Sequence, residues 1–417
     1  MKSYSQALKI LKQAKIKIYD EYIKTPKSLN RVSSVNIYSK IDYPSANNAS
    51  FDGYAINSSD TKGLNKKNKK LFKIIGTIAA GSKPIKKMNK KFRSVEIMTG
   101  GLLTKPFNTI IPIEQISFYP NKIKPKFILV NKKISRLNYV RLKGSDYKKN
   151  DLIIKKGTII QSNHILTLKA LGIDKIKVKK KPNILFFSTG KEITNKKDIE
   201  NWEVRNSNNH YIHSLNQNFL FNFKDAGILK DNHSNIFKSK IKKIFKSKID
   251  MIITSGAVSA GKYDFIPNVI KDFKLSNYFK SISIRPGKPI LFAKLKDKSK
   301  VIFGLPGNPI SSAACFRFFV YPYLANILGI SDEKPVKGYL KNQFYKKKFF
   351  TRFVKSKFST TKNGKIEIEI LKGQESFKMK PFVNSNIWAL LPAGKSKFKK
   401  GDIVDCFFLN YTNKNFI

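Results

Sequence analysis

The run "DMII" at residues 250–253 leads directly into "TSGAVSAGKYDF" at 254–265, and how this junction is read decides the fold. Four residues, three of them apolar, followed by small ones are the mark of a short buried strand ending in a loop. A plain connection needs only a few turn residues, whereas this one is longer and ends in Lys262 and Asp264. Working outward, "NILFFSTG" (183–190), "PILFAKL" (289–295) and "KVIFGLPG" (300–307) read as further strands. Helical stretches lie between and beyond them: "NSNNHYIHSLNQNFLFNF" (206–223), with Asn206 or Ser207 as cap; "IFKSKIKKIF" (236–245); and the long "NPISSAACFRFFVYPYLANIL" (308–328). Strands alternating with helices over 182–330 predict an open, mostly parallel α/β sheet.

The flanks read differently. Ala7, Leu8, Leu11, Ala14 and Ile16 fall broadly on one side of an N-terminal amphipathic helix. From about residue 32 to 145, short runs such as "LFKIIGTIAA", "VEIMTG", "TIIPI" and "KFILV" alternate with Lys, Asn, Gly and Pro, the pattern of a β-rich domain. "SNHILTLKALGI" (162–173) reads as a short helix stopping at Gly172. After about residue 331, "KIEIEIL" and "DIVDCFFL" predict a small C-terminal β domain.

The 417 residues carry a net charge of +55, which points to anionic partners of some kind. Only 8 of the 82 basic residues are Arg, the usual residue for bidentate recognition of guanine and phosphate. The lysines are spread along the whole chain, so solvated lysines on every surface are the plainer reading, and nucleic-acid binding the weaker one. No apolar stretch approaches the ~18 residues of a membrane span, and the start lacks the h-region of a signal peptide. Cys315 and Cys406, far apart in apolar contexts, read as buried thiols of a cytoplasmic protein.

Three predicted strand ends carry small polar residues. They are "STGKE" (Ser188, Thr189, Gly190), "TSGAVSAGKYD" (Ser255, Gly256, Ser259) and "GLPGNPISS" (Pro306, Gly307, Asn308, Ser311). Ligands of open α/β sheets bind at such ends. Glycine lets backbone approach closely, hydroxyls donate, and helix starts favour phosphate. Glu192 and Asp264 lie just beyond two of the ends, as possible Mg2+ ligands that also meet phosphate oxygens or as surface acids paired with lysine. "RPGKP" (285–289) sets Arg285 and Lys288 around a stiff turn, suited to clamping an oxyanion. "FDGYAI" with Asp52 and "IMTGG" with Thr99 are turn-capable sequences, structural or functional on spacing alone.

Taken in order, "FDGYAI", "IMTGG", "STGKEI", "TSGAVSAGKYDF", "RPGKPILFA" and "GLPGNPISS" resemble the MoeA family of molybdopterin molybdenumtransferases, related to the gephyrin E domain. The resemblance covers nearly the whole chain. It implies a homodimer whose subunits have four regions: a helical/linker region from 1–20 with 146–181, a β-rich domain at 21–145, a three-layer α/β domain at 182–330, and a C-terminal β domain at 331–417. It also implies that adenylylated molybdopterin, supplied by a molybdopterin adenylyltransferase, reacts with molybdate in the presence of Mg2+, releasing AMP. Asp52 and Thr99 would enter the partner's cleft, and Glu192 and Asp264 would act near metal and phosphates. Ser259, Arg285, Lys288 and Ser311 would hold molybdate or the pterin phosphate, with Arg352 and Ser385 as a further anion-binding pair.

The chain departs from the family pattern at Lys191 and Lys262, which replace acids, at Ala257, which replaces Gly, and at Arg205–Asn206, which replace an Ile/Tyr–Asp pair. These losses leave a second reading open, that of an inactive paralogue which binds the cofactor or organises partners. Tungstate is an open alternative to molybdate.

Overall fold

The computed structural model describes residues 1–83, 85, 90–216, 220–230, 233–258, 265–296 and 299–410. The chain forms two compact units, one from residues 1–35, 155–165 and 175–417, the other from 36–154 and 166–174.

The first unit is organised by a six-stranded sheet in the order 222–229, 183–189, 251–255, 301–305, 291–295, 275–280. The first four strands are parallel, 291–295 runs opposite to them, and the edge strand 275–280 is antiparallel to 291–295. From 183–189 the chain passes first to one side, at 222–229, and then to the other, at 251–255. That reversal of direction opens a crevice at the carboxyl ends of 183–189 and 251–255.

Successive strand side chains point to opposite faces, and the core divides accordingly. Ile184, Phe186, Met251, Ile253 and Phe303 pack with the N-terminal helix Tyr4–Gln13, helix Ser207–Leu215 and the long segment 309–328. Leu185, Phe187, Ile252 and Ile302 pack instead with helices Ser234–Ile244 and Ile266–Lys271. The long segment is helical throughout but widens to a π-helical turn at Phe316–Val320. The helix expected over 206–223 ends at Leu215, and Asn222–Leu229 is an edge strand. Its exposed Asn222, Lys224 and Asp225 hide a strand whose partner lies on one side only.

Strands 351–360, 366–370, 336–340, 403–408 and 387–391 close on one another as a small barrel, since the first also pairs with the last. Ile284–Arg285 joins it in parallel beside Thr351–Arg352. Asp20–Lys24 pairs antiparallel with Lys175–Lys179, so these residues group with the first unit and not with the β-rich segment that follows. Both cysteines are buried and unbridged, and burial pushes the Cys406 thiol up to about 12.

The second unit is a mixed sheet in the order 109–112, 53–56, 93–97, 70–78, 127–130, 117–119. Ala55, Val95, Ile97 and Ile110 fill one face, while Tyr54, Ile56, Phe72, Ile111 and Ile128 fill the other.

Candidate functional site

Three of the predicted strand ends meet at the sheet's reversal point. Thr189 Oγ1 donates to the Ser255 carbonyl at 2.9 Å, and the Gly256 N–H donates to the Leu305 carbonyl at 2.8 Å. Asn208 Nδ2 spans the other two ends, reaching Ser255 Oγ at 2.7 Å and the Gly307 carbonyl at 2.8 Å. Ser188 Oγ donates to Asn206 Oδ1 at 2.6 Å.

Glycine is required where these ends touch. A Cβ on Gly256, at φ +100°, would lie 2.4 Å from the Thr189 carbonyl oxygen, and one on Gly190, at φ +139°, would lie 2.6 Å from Glu192 Oε1. Asn206 and Asn308 precede helices as expected, but neither side chain caps. The Asn308 carbonyl instead receives the Ser312 N–H at 2.9 Å. Pro306 and Ser311 are buried, whereas Gly307 and Asn308 are exposed. Asn208 carried no sequence signal of its own, although it binds two strand ends together.

Glu192 is half-buried and its carboxylate folds back over Gly190. Among the described residues it makes no ion pair, despite a chain with 82 basic residues. The simple alternative, a carboxylate neutralised by a neighbouring lysine, finds no support in those residues. Ser259, Lys262 and Asp264 lie outside the described residues.

Ala257 adopts φ +53°, the left-handed region that costs a non-glycine residue roughly 1–2 kcal/mol. Ala257→Gly is therefore expected to stabilise the protein by about 0.5–1 kcal/mol, after allowing for glycine's greater unfolded-state entropy. A denaturant melt checks this, and a fall in stability would contradict the strain.

Arg285 and Arg352 sit opposite each other in the parallel pair that joins 284–285 to the barrel. Like charges in directly paired positions repel, and burial together with the Arg285 guanidinium pushes Arg352 below its ordinary value, against a smaller opposing effect of Glu375. Each guanidinium lies over a ring, Arg285 over Phe350 at 4.8 Å and Arg352 over Phe344 at 5.2 Å. Two aligned guanidiniums form a place for an anion. Lys288 is exposed in the same turn. The turn packs on helix Pro309–Cys315, where a Cβ on Gly287 would meet Cys315 Sγ at 2.4 Å.

Ser385 does not join Arg352. In the pairing of their strands Arg352 faces Leu391, whereas Ser356 faces Ile387. Ser385 precedes the strand Ile387–Leu391, whose start lies roughly 13 Å from the residue that faces Arg352. Its hydroxyl donates to the Phe382 carbonyl. The loop at 373–378 does return to this strand, because buried Lys355 Nζ donates to the carbonyls of Gly373, Glu375 and Lys378 at 2.7–3.1 Å.

In the second unit "FDGYAI" and "IMTGG" come together. The Thr99 N–H and Oγ1 both donate to Asp52 Oδ1, at 2.6 and 2.8 Å. These bonds hold the exposed carboxyl below its ordinary range, the backbone N–H contributing most. Gly53 allows the close approach, since a Cβ there would fall 2.1 Å from the Ile111 carbonyl oxygen. Asp52 too has no ion pair among the described residues.

The chain has relatives among known proteins. Residues 2–172 match the model of the MoeA N-terminal region (domains I and II), and residues 186–326 match a probable molybdopterin-binding domain. The chain is 30% identical to the molybdopterin molybdenumtransferase of Staphylococcus aureus strain COL over 384 residues, covering 91% of this chain and 88% of that one. It is also 30% identical to the enzyme of the same name from Staphylococcus epidermidis strain ATCC 12228, covering 97% and 94%. The crystal structure of the molybdopterin biosynthesis MoeA protein from Pyrococcus horikoshii OT3 superposes with a TM-score of 0.82 at 25% identity, covering 98% of this chain and all of that one.

Proposed function

Because the chain belongs to the MoeA family of molybdopterin molybdenumtransferases, we propose that it inserts molybdenum from molybdate into adenylylated molybdopterin, releasing AMP. The observation that carries this reading is the junction of Thr189, Ser255, Gly256 and Gly307, tied by Asn208 and kept free of bulk by glycine. Such a junction suits the phosphates of an anionic substrate. Both substrates are anions, so hydrolysing a phosphoanhydride beside an oxyanion concentrates negative charge. Arg285 and Arg352, paired across one strand pair, supply the offsetting charge, with Lys288 in the same turn as Arg285 and Ser311 on the helix that the turn packs against. Glu192 is the acid of this unit that we assign to the reaction, and Asp52, held by Thr99, would enter the cleft of a partner copy.

Mg2+ is the ion we propose, with Glu192 as the described carboxylate that could hold it. Among the described residues no three His, Cys, Asp or Glu side chains cluster, but this ion is commonly held by one or two carboxylates plus substrate phosphates and water. Glu192 would be one ligand, and Asp264 is proposed as another. When bound, the ion would neutralise charge developing on the phosphate oxygens. Family membership supports a homodimer, a three-layer α/β domain and an adenylyltransferase as the source of substrate. Two buried thiols support a cytoplasmic setting. No helix among the described residues is long and apolar enough to cross a membrane.

The test is AMP release from adenylylated molybdopterin with molybdate, with tungstate and with neither oxyanion. Molybdate-dependent release is expected. Purified dimer that binds the substrate but releases nothing would overturn the reading and leave the scaffold alternative.

A further inference from the structure

The segment between Glu192 and Asn206 carries a feature that the phosphate chemistry does not use. The chain contains two Trp. Trp388 is fully buried, whereas Trp202 is 66% exposed. Trp202 makes no ring contact with any described residue.

Its loop is nevertheless held firmly. Ile193–Thr194 pairs in parallel with Val204–Arg205, the Val204 N–H donates to the Glu192 carbonyl at 2.8 Å, and the Asn206 N–H donates to the Thr194 carbonyl at 3.1 Å. The Glu203 side chain is 7% exposed, accepts from the Glu200 N–H, and pairs with Lys196 at 3.2 Å. Arg205 Nη1 donates to the carbonyls of Lys196 and Lys197. Standard backbone reach puts the Trp202 Cα no more than about 9 Å from the Glu192 carbonyl. A large ring is thus presented unpacked on a fixed loop whose backbone runs close to that of Glu192.

We propose that Trp202 is a positioning residue that stacks on a flat heteroaromatic ring of the substrate, the adenine or the pterin. The proposal rests on the molybdenumtransferase reading, since that reaction supplies both rings. A rigid aromatic loses little freedom on binding, and stacking of this kind is worth about tenfold or more in affinity.

The test follows intrinsic fluorescence of the full-length protein during titration with AMP and, separately, with adenylylated molybdopterin, alongside steady-state AMP release. W202A supplies the background from buried Trp388, which is subtracted from the wild-type signal. Quenching is expected in the wild type, and AMP alone sufficing assigns the adenine, whereas quenching by the full substrate only assigns the pterin. W202A is expected to lose the Trp202 share of the quench and raise KM about tenfold with kcat within about threefold. W202F should keep most of the affinity, and unchanged melting of W202A separates the effect from misfolding. A wild-type enzyme that releases AMP yet shows no quench with either ligand, with W202A unchanged in KM, would overturn the stacking and leave the function standing. Absence of release from the wild type is instead the failure of the function itself.

Discussion

Gly256→Val is expected to lower molybdate-dependent AMP release by about 100-fold or more, the largest single-residue effect on activity that the site carries. The reason is local and steric. Gly256 sits at φ +100°, and even one added Cβ would lie 2.4 Å from the Thr189 carbonyl oxygen and 2.6 Å from its Oγ1. The carbonyl is backbone and cannot rotate away, so the strand end must move. The movement would open the Thr189–Ser255 hydrogen bond and displace the junction held by Asn208. A misplacement of about 1 Å in a positioning group commonly costs ~100-fold in rate. Stability should fall as well, by about 2–3 kcal/mol from backbone strain and the lost bond. Gly307→Ala is the control. The nearest atom to its Cβ would be Gly256 Cα at 3.7 Å, an ordinary contact, so the fold and much of the activity should survive. If Gly256→Val retained wild-type release, the strand-end junction would not be the substrate's seat.

The contrast between those two glycines shows where sequence reasoning reaches and where it stops. "STG", "TSG" and "LPG" announce strand ends because a run buried on both faces must be apolar and must end in residues that free the backbone. The inner strands 183–189, 251–255 and 301–305 were legible for that reason, with nearly every residue buried. The strands Asn222–Leu229 and Leu275–Lys280 lie at the sheet's edges and alternate too weakly to be seen. Apolar residues around 220–223 instead extended the helical pattern past its true end at Leu215.

Within the site, residue type alone could not choose a partner. Asn206 has the look of a helix cap, but its side chain receives Ser188 and donates to Asn195 at 3.1 Å. The resemblance pairs Arg352 with Ser385, whereas strand register sets Arg352 opposite Arg285 and leaves Ser385 before the start of the neighbouring strand. Register depends on which strands meet, and that is fixed by the whole barrel.

Glu333→Ala is expected to destabilise the protein by about 3–5 kcal/mol, the largest stability effect of any single ion-pair partner described. Arg317 lies on the π-helical turn and is 2% exposed. Its Nη2 reaches both Glu333 oxygens, at 2.6 and 2.8 Å, and its Nε donates to the Phe408 carbonyl at 2.7 Å. The guanidinium also lies 5.6 Å from the ring centres of Phe318 and Phe407. It therefore links the long helical segment to the last barrel strand. Removing Glu333 takes the bidentate carboxylate away from a cation that is 2% exposed, and breaking a buried pair costs far more than the intact pair contributes. Glu333→Gln keeps an acceptor and should cost clearly less than Glu333→Ala. Asp332, the adjacent acid, pairs with Lys12 at 2.6 Å, but its side chain is 75% exposed and that of Lys12 58%. Asp332→Ala should therefore change stability by no more than about 1 kcal/mol. Chemical denaturation of the four proteins at one concentration decides the matter. Equal losses from Glu333→Ala and Asp332→Ala would mean that water reaches Arg317 and that burial does not set its role.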